Sequence, residues 1–198
     1  MEDHFLRQQE VTSITQARID EIEMKTREQA SSLVLGDERS KRITSSMFGT
    51  ICKMTDSRDV DKLTSSICHK KTVRSAAVLH GMKYEAVAIE KFEAMEGVKT
   101  TACGLFIHPE HPFLAATPDR QMNSSSLLEV KCPFTSRDKE ISHVTAPYLE
   151  ITDSGLSLRK NHNYYYQVQG QLLCSGRQSC KFVVFTLKDL KAITINVA

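Results

Sequence analysis

The chain has 198 residues, with 26 basic and 24 acidic side chains (net charge +2), 40% hydrophobic residues and 25% charged ones. That balance supplies one sizeable core and excludes a disordered chain; eight Gly and five Pro exclude a fibrous one. No apolar run reaches the ~18 residues of a membrane span, no apolar stretch follows Met1-Glu2-Asp3-His4 as a secretory signal, and with so small a net charge any polyanion site has to be a local groove.

An intracellular location, nucleus or host-cell cytoplasm, is therefore expected. The cysteines at 52, 68, 103, 132, 174 and 180 form no C-x-x-C pair and read as reduced, mostly buried thiols rather than disulfides or zinc ligands. Residues 1–35 are polar and free of Pro, with Val11, Ile14, Ile19, Ile22 and Met24 only loosely spaced, so they read as a solvated N-terminal helical arm. From residue 36 to 198 the composition is that of a folded domain. Thr44, Ser45 and Ser46 before Met47-Phe48 predict a helix start with hydroxyl caps. Between Asp37 and Arg74 nine basic residues face five acidic ones, which suits a solvated face or a phosphate-facing one.

A strong helix is predicted from Gly81 to Met95, stopped by Gly97. Helical spacing puts Tyr84, Ala88, Ile89, Phe92 and Met95 on one arc, with Glu85 inside it and Glu90 and Glu93 pointing elsewhere. Glu85 is then either an inward carboxylate that needs a partner or a metal, or a wet residue in the first turn. Thr100–Ile107, Phe113–Thr117 and Leu127–Cys132 read as strands of an antiparallel meander. A short helix follows Pro133, a hairpin centres on Asp153-Ser-Gly155, a helix runs from Asn163 to Ser175, and Cys180–Leu187 and Lys191–Val197 are strands. The fold class is α/β with a mixed sheet: the meander, one parallel strand reached through a crossover helix, and helices on both faces.

The chemistry sits in Pro118-Asp119 and Glu129-Val130-Lys131. Residues two apart on a strand share a face, so Glu129 and Lys131 project together while Val130 points into the core. Asp119 and Glu129 are symmetric in number about residue 124, so a hairpin there brings them opposite each other. Two converging carboxylates stay ionised most easily around a divalent cation, magnesium or manganese by their all-oxygen character, and a neighbouring lysine can orient water and steady charge on a phosphate. Surface hairpins carry such a trio by chance. Against that stand the apolar Leu127-Leu128 and Val130, the third carboxylate Glu85, and the stripe Tyr164, Gln167, Gln171 and Cys174 on the 163–175 helix.

The segments Gly81-Met-Lys-Tyr-Glu85-Ala, Ala116-Thr-Pro-Asp119, Leu128-Glu-Val-Lys-Cys-Pro-Phe-Thr-Ser-Arg-Asp138 and Tyr164-Tyr-Tyr-Gln-Val-Gln169 resemble the YqaJ-type viral recombinase domain, a group that includes the lambda-type alkaline exonucleases of the PD-(D/E)XK nuclease superfamily. The resemblance covers roughly residues 36–190 and implies a restriction-endonuclease-like core. It implies Mg2+ (or Mn2+) held by Asp119, Glu129 and the backbone carbonyl of Val130. Lys131 would be the water-activating lysine, Glu85 would sit at a second metal or position its water, and Gln167 and Tyr164 would line the site. A pocket for a 5′-terminal phosphate falls on Arg39, Ser46, Thr117 and Arg137, with Thr117 standing where the family more often has Ser. No Gly follows Pro118-Asp119, and the chain stops at Ala198, short of the further helical segment usual in the family, so a truncated C-terminus is expected.

The activity implied is a Mg2+-dependent 5′→3′ exonuclease on double-stranded DNA ends, acting in recombination or end resection. A structure-specific endonuclease and a non-catalytic DNA-end-binding module are the alternatives. A single-strand annealing partner often accompanies the family, and a homo-oligomer would be in keeping with it. Cys132 is expected to pack in the core, and His108, His111, His143 and His162 to lie in solvated turns.

Overall fold

The computed structural model describes residues 12–29, 32–55, 59–68 and 75–198. Helix α1 (Gln16–Lys25) starts at Thr15, whose hydroxyl accepts from Arg18 N at 3.3 Å. It is not a solvated arm: Ile19 and Ile22 are buried with Leu35, Leu105, Ile107 and Ala115. Polar contacts complete the docking. Gly104 N donates to Glu23 Oε1 at 2.9 Å and Leu105 N to Thr26 Oγ1 at 2.8 Å, while a Cβ at Gly104 would lie 2.0 Å from the Glu23 carbonyl oxygen.

Helix α2 (Leu33–Ser40) leads into β1 (Ile43–Thr44), a 3-10 turn at Ser45–Met47, α3 (Phe48–Cys52) and α4 (Val60–Cys68). The expected hydroxyl caps are corrected here. Met47 precedes α3 without a side-chain cap, and Thr44 Oγ1 and Ser46 Oγ bond each other at 3.2 Å instead.

Helix α5 (Ala76–Glu96) begins five residues before the predicted start, because Ser75 caps it by accepting from Val78 N; it ends at Gly97, whose φ of 66° suits a residue without Cβ. Ala88 and Phe92 are buried as predicted, but Met95 is 53% exposed and Glu93 only 8% exposed. Glu93 turns inward because it ties the helix end to the next segment, accepting from Thr100 Oγ1 at 2.6 Å, Thr100 N at 2.8 Å and Lys99 Nζ at 3.0 Å. The Thr100 hydroxyl and amide, then Lys99, hold its carboxyl down to about 2. A depressed carboxyl stabilises the fold above its ordinary value of 4.5 and loses that contribution as pH falls through about 2. Glu93→Gln is therefore expected to lower the melting midpoint at pH 7, with the gap from the parent protein narrowing by pH 3; a gap independent of pH would refute the ionic account.

Strands β2 (Phe106–Ile107) and β3 (Leu114–Ala116) form a three-stranded sheet in the order β1-β3-β2, with β1 parallel to β3. Strands β4 (Arg120–Asn123) and β5 (Ser126–Lys131) pair antiparallel in a second sheet. The hairpin β6 (Leu149–Thr152) and β7 (Gly155–Leu158) precedes α6 (Asn163–Ser175), which crosses to β8 (Ser179–Phe185), parallel to β5; β9 (Leu190–Asn196) completes the order β4-β5-β8-β9.

The α/β class, the parallel pair and its crossover helix agree with expectation, whereas the single meander does not. The polar run Arg120–Asn123, outside the predicted strands, is the strand that pairs with β5. The two preceding runs are drawn into the β1-β3-β2 sheet, and an isolated bridge pairs Thr101, ahead of β2, with Gln121 of β4. Helices cover both faces of the second sheet. Leu127, Cys180, Phe182, Val184, Ile193 and Ile195 pack with Val168 and Leu172 of α6, and Leu128, Val130, Val183 and Phe185 with Ala88 and Phe92 of α5. Midway along α6 a Cβ on Gly170 would lie 2.6 Å from Phe48 Cδ2, so only glycine permits the helix to seat this closely.

Cys52, Cys103, Cys132, Cys174 and Cys180 are free thiols. Among the described residues no helix is long and apolar enough to cross a membrane.

Candidate active site

Strand alternation sends Leu128 and Val130 to the α5 side, which leaves Glu129 and Lys131 on the α6 side of β5. The β4–β5 register pairs Arg120 with Leu128, and one further step sets Asp119 across from Glu129. Asp119 Oδ2 accepts from Val130 N at 2.6 Å, which fixes the carboxylate against the strand beside Glu129. Glu129 is 2% exposed. Its Oε1 accepts from Lys131 Nζ and, at 2.7 Å, from Gln167 Nε2; its Oε2 accepts from Gln171 Nε2 at 2.6 Å.

Lys131 Nζ lies 4.8 Å from the centroid of the Tyr164 ring, within cation–π range. Tyr164 in turn packs on His162, Tyr148 and Phe182 at centroid distances of 4.7, 5.1 and 5.8 Å. His162 is half-buried rather than solvated, because its Nδ1 caps α6 by accepting from Tyr164 N at 3.2 Å.

Burial, then the charges of Glu129 and Glu85, push the Asp119 carboxyl well above its ordinary range. Glu85 is raised by burial and Glu129, against the pull of Lys131 and Arg120. Since α5 begins at Ala76, Glu85 lies in mid-helix and half-buried, not in a wet first turn. Burial alone would pull Lys131 down, but Glu129 and Asp119 outweigh it and raise it. Cys132 packs on the α5 side, as expected, and burial pushes its thiol up to about 12, which leaves it inert.

The charges of Glu129 and Glu85 still raise Asp119 with Lys131 beside them, and the donor set is all oxygen. Asp119, Glu129 and the carbonyl of Val130, the residue after Glu129, therefore fit a hard divalent cation. Among the described residues no three His, Cys, Asp or Glu side chains close into a complete ligand set, so the fit rests on this pair.

Of the expected phosphate-pocket residues, Arg39 and Thr117 meet, the guanidinium donating to Thr117 Oγ1 at 3.4 Å. Burial lowers the Arg39 pKa while the nearby Glu129 charge raises it, which places Arg39 on the carboxylate side of the molecule. Ser46 is exposed beside Thr44. Arg137, on the turn after β5, donates to the Phe134 carbonyl at 2.8 Å, pairs with Asp138 at 3.3 Å and stacks 4.4 Å over the Phe134 ring. The residue left out of the expected site is Gln171. Its spacing of four from Gln167 was the signal, since that interval repeats one helix face.

The family described as the YqaJ-like viral recombinase domain matches residues 36–178. The uncharacterized protein R354 of Acanthamoeba polyphaga mimivirus is 30% identical over 125 residues, covering 56% of this chain and 20% of that protein, so the chain spans about a fifth of this relative's length. The solved alkaline exonuclease LHK-Exo from Laribacter hongkongensis superposes with a TM-score of 0.64 at 22% identity over 83% of this chain and 81% of that one, and its complex with dAMP does so at 0.65. A phage-related exonuclease from Haemophilus somnus 129PT gives 0.54 at 13% identity over 79% and 85%. At these identities the likeness to the solved structures is one of fold.

Proposed function

The chain belongs to the YqaJ-like viral recombinase domain family, and from that premise we propose that it is a metal-dependent deoxyribonuclease, a 5′→3′ exonuclease on double-stranded DNA ends. The observation that carries the reading is Glu129: buried on β5 opposite Asp119, with Lys131 and Gln167 both donating to its Oε1.

Asp119, Glu129 and the Val130 carbonyl would hold Mg2+, with Mn2+ as the expected substitute and Glu85 beside them to orient water. When bound, the ion supplies Lewis acidity toward the phosphate and toward water. Lys131, kept protonated by its two carboxylates and backed by the Tyr164 ring, meets the charge that develops on the scissile phosphate. Gln167 holds Glu129 in place. Water oxygen forms the new bond to phosphorus as the bond to the 3′ oxygen breaks, leaving a 5′-phosphate and a 3′-hydroxyl. A mononucleotide product accords with the dAMP held by LHK-Exo.

Arg39 with Thr117, Ser46 and Arg137 form the proposed grip on a 5′-terminal phosphate, in which guanidinium forks supply paired donors. Arg137→Ala and Arg39→Ala are expected to slow digestion of 5′-phosphorylated ends about tenfold or more, and of 5′-hydroxyl ends much less. Equal slowing of both ends would remove the pocket from the account. The annealing partner and the homo-oligomer belong to the same proposal.

The activity itself is tested by digesting an end-labelled linear duplex with and without Mg2+. Nucleotide release that requires the ion and starts at 5′ ends supports the reading. Internal cuts would turn it toward an endonuclease, and binding without cleavage toward an end-binding module.

A further inference from the structure

Gln171 is 0% exposed, and the hydrogen bond its side chain makes goes to Glu129 Oε2 at 2.6 Å; its own Oε1 is buried without a partner. A core position on α6 between Val168 and Leu172 would be filled at less cost by leucine, because an unmatched buried carbonyl is a net penalty. The orientation of the amide is fixed by its surroundings: turned over, its oxygen would face a carboxylate oxygen. Residues that spend stability in this way cluster where geometry serves function.

We propose, resting on the function argued above, that Gln171 is a positioning residue. It occupies one oxygen of Glu129 so that the other, shared with Lys131 and Gln167, is presented to the cation. Without it the carboxylate could rotate about its terminal torsion, which is broad for glutamate. Gln167 cannot substitute, because it already serves Oε1, one helical turn away from Gln171.

The experiment is calorimetric titration of the full chain with Mn2+ alone, in the parent protein and in Gln171→Leu, Gln171→Asn and Glu129→Gln, beside thermal melts without metal. Gln171→Leu has nearly the same volume and no amide, and Gln171→Asn keeps the amide but is one methylene too short. Both are expected to weaken Mn2+ binding by tenfold or more, with metal-free melting midpoints close to that of the parent. In Mg2+-dependent digestion both should raise the ion concentration for half-maximal rate by a similar factor, with the KM for DNA unchanged.

Parent-like Mn2+ affinity in Gln171→Asn would overturn the inference, and so would weakening in step with lost thermal stability in both variants, the mark of a merely structural role. If Glu129→Gln binds Mn2+ as the parent does, it is the underlying reading of the carboxylate pair that fails.

Discussion

Lys131→Ala is expected to lower Mg2+-dependent digestion of a linear duplex by about 10²- to 10⁴-fold, the span typical of losing one positioned charge or proton-transfer group. Lys131 Nζ sits between the Glu129 carboxylate and the face of Tyr164, so its reach is set on both sides. The two carboxylates keep it charged, and alanine therefore removes a cation rather than a neutral amine. Glu129 keeps both glutamine amides in the variant, which leaves the carboxylate hydrogen-bonded and the fold in place. DNA binding should fall little, because one cation among several contributes modestly to phosphate affinity. Rates on end-labelled duplex, with binding measured in Ca2+, decide the matter. A loss of less than fivefold would mean that the charge is supplied elsewhere and that Lys131 serves Glu129 alone.

The opposition of Asp119 and Glu129 was legible because hairpin pairing is arithmetic: residues equally distant from a tight turn face each other, and Arg120 does pair with Leu128. The common face of Glu129 and Lys131 follows from the strand period with equal directness. What could not be read depends on partners distant in sequence. Arg120–Asn123 has no apolar alternation, and it is a strand because β5 offers it a ladder. α1 docks with two isoleucines because Glu23 and Thr26 accept from the backbone at Gly104 and Leu105, about 80 residues away. Glu93 turns inward for Thr100, which no helical wheel includes. Gly170 lets α6 seat closely on Phe48 of α3, and only the tertiary placement of α6 distinguishes Gln171, aimed at Glu129, from a glutamine that merely favours helix.

The same carboxylates that define the site should weaken the metal-free protein, and Asp119→Asn is expected to raise its melting midpoint by a few degrees while lowering Mg2+-dependent cleavage by at least about 10²-fold. Asparagine is isosteric, and its Oδ1 can still accept from Val130 N, so the contact that fixes residue 119 survives. What disappears is a half-buried negative charge set against Glu129 and Glu85. A carboxyl raised above its ordinary 3.8 contributes stability that is complete below that pH and is lost as pH rises through the raised value. At pH 7.5 the raised carboxyl is thus a net cost, and removing it is a gain. Toward pH 3.5 the parent carboxyl is protonated in the folded chain and mostly so in the unfolded one, so the two midpoints should converge. Adding Mg2+ reverses the order at neutral pH. Binding to the folded parent raises its midpoint with ion concentration, whereas the variant, short of one ligand, responds little. Melts at pH 7.5 and 3.5, each with and without the ion, test all four corners. A variant less stable than its parent at pH 7.5 without metal would mean that Lys131 and the amides already compensate both carboxylates. The pair would then be a structural knot with no need of a cation.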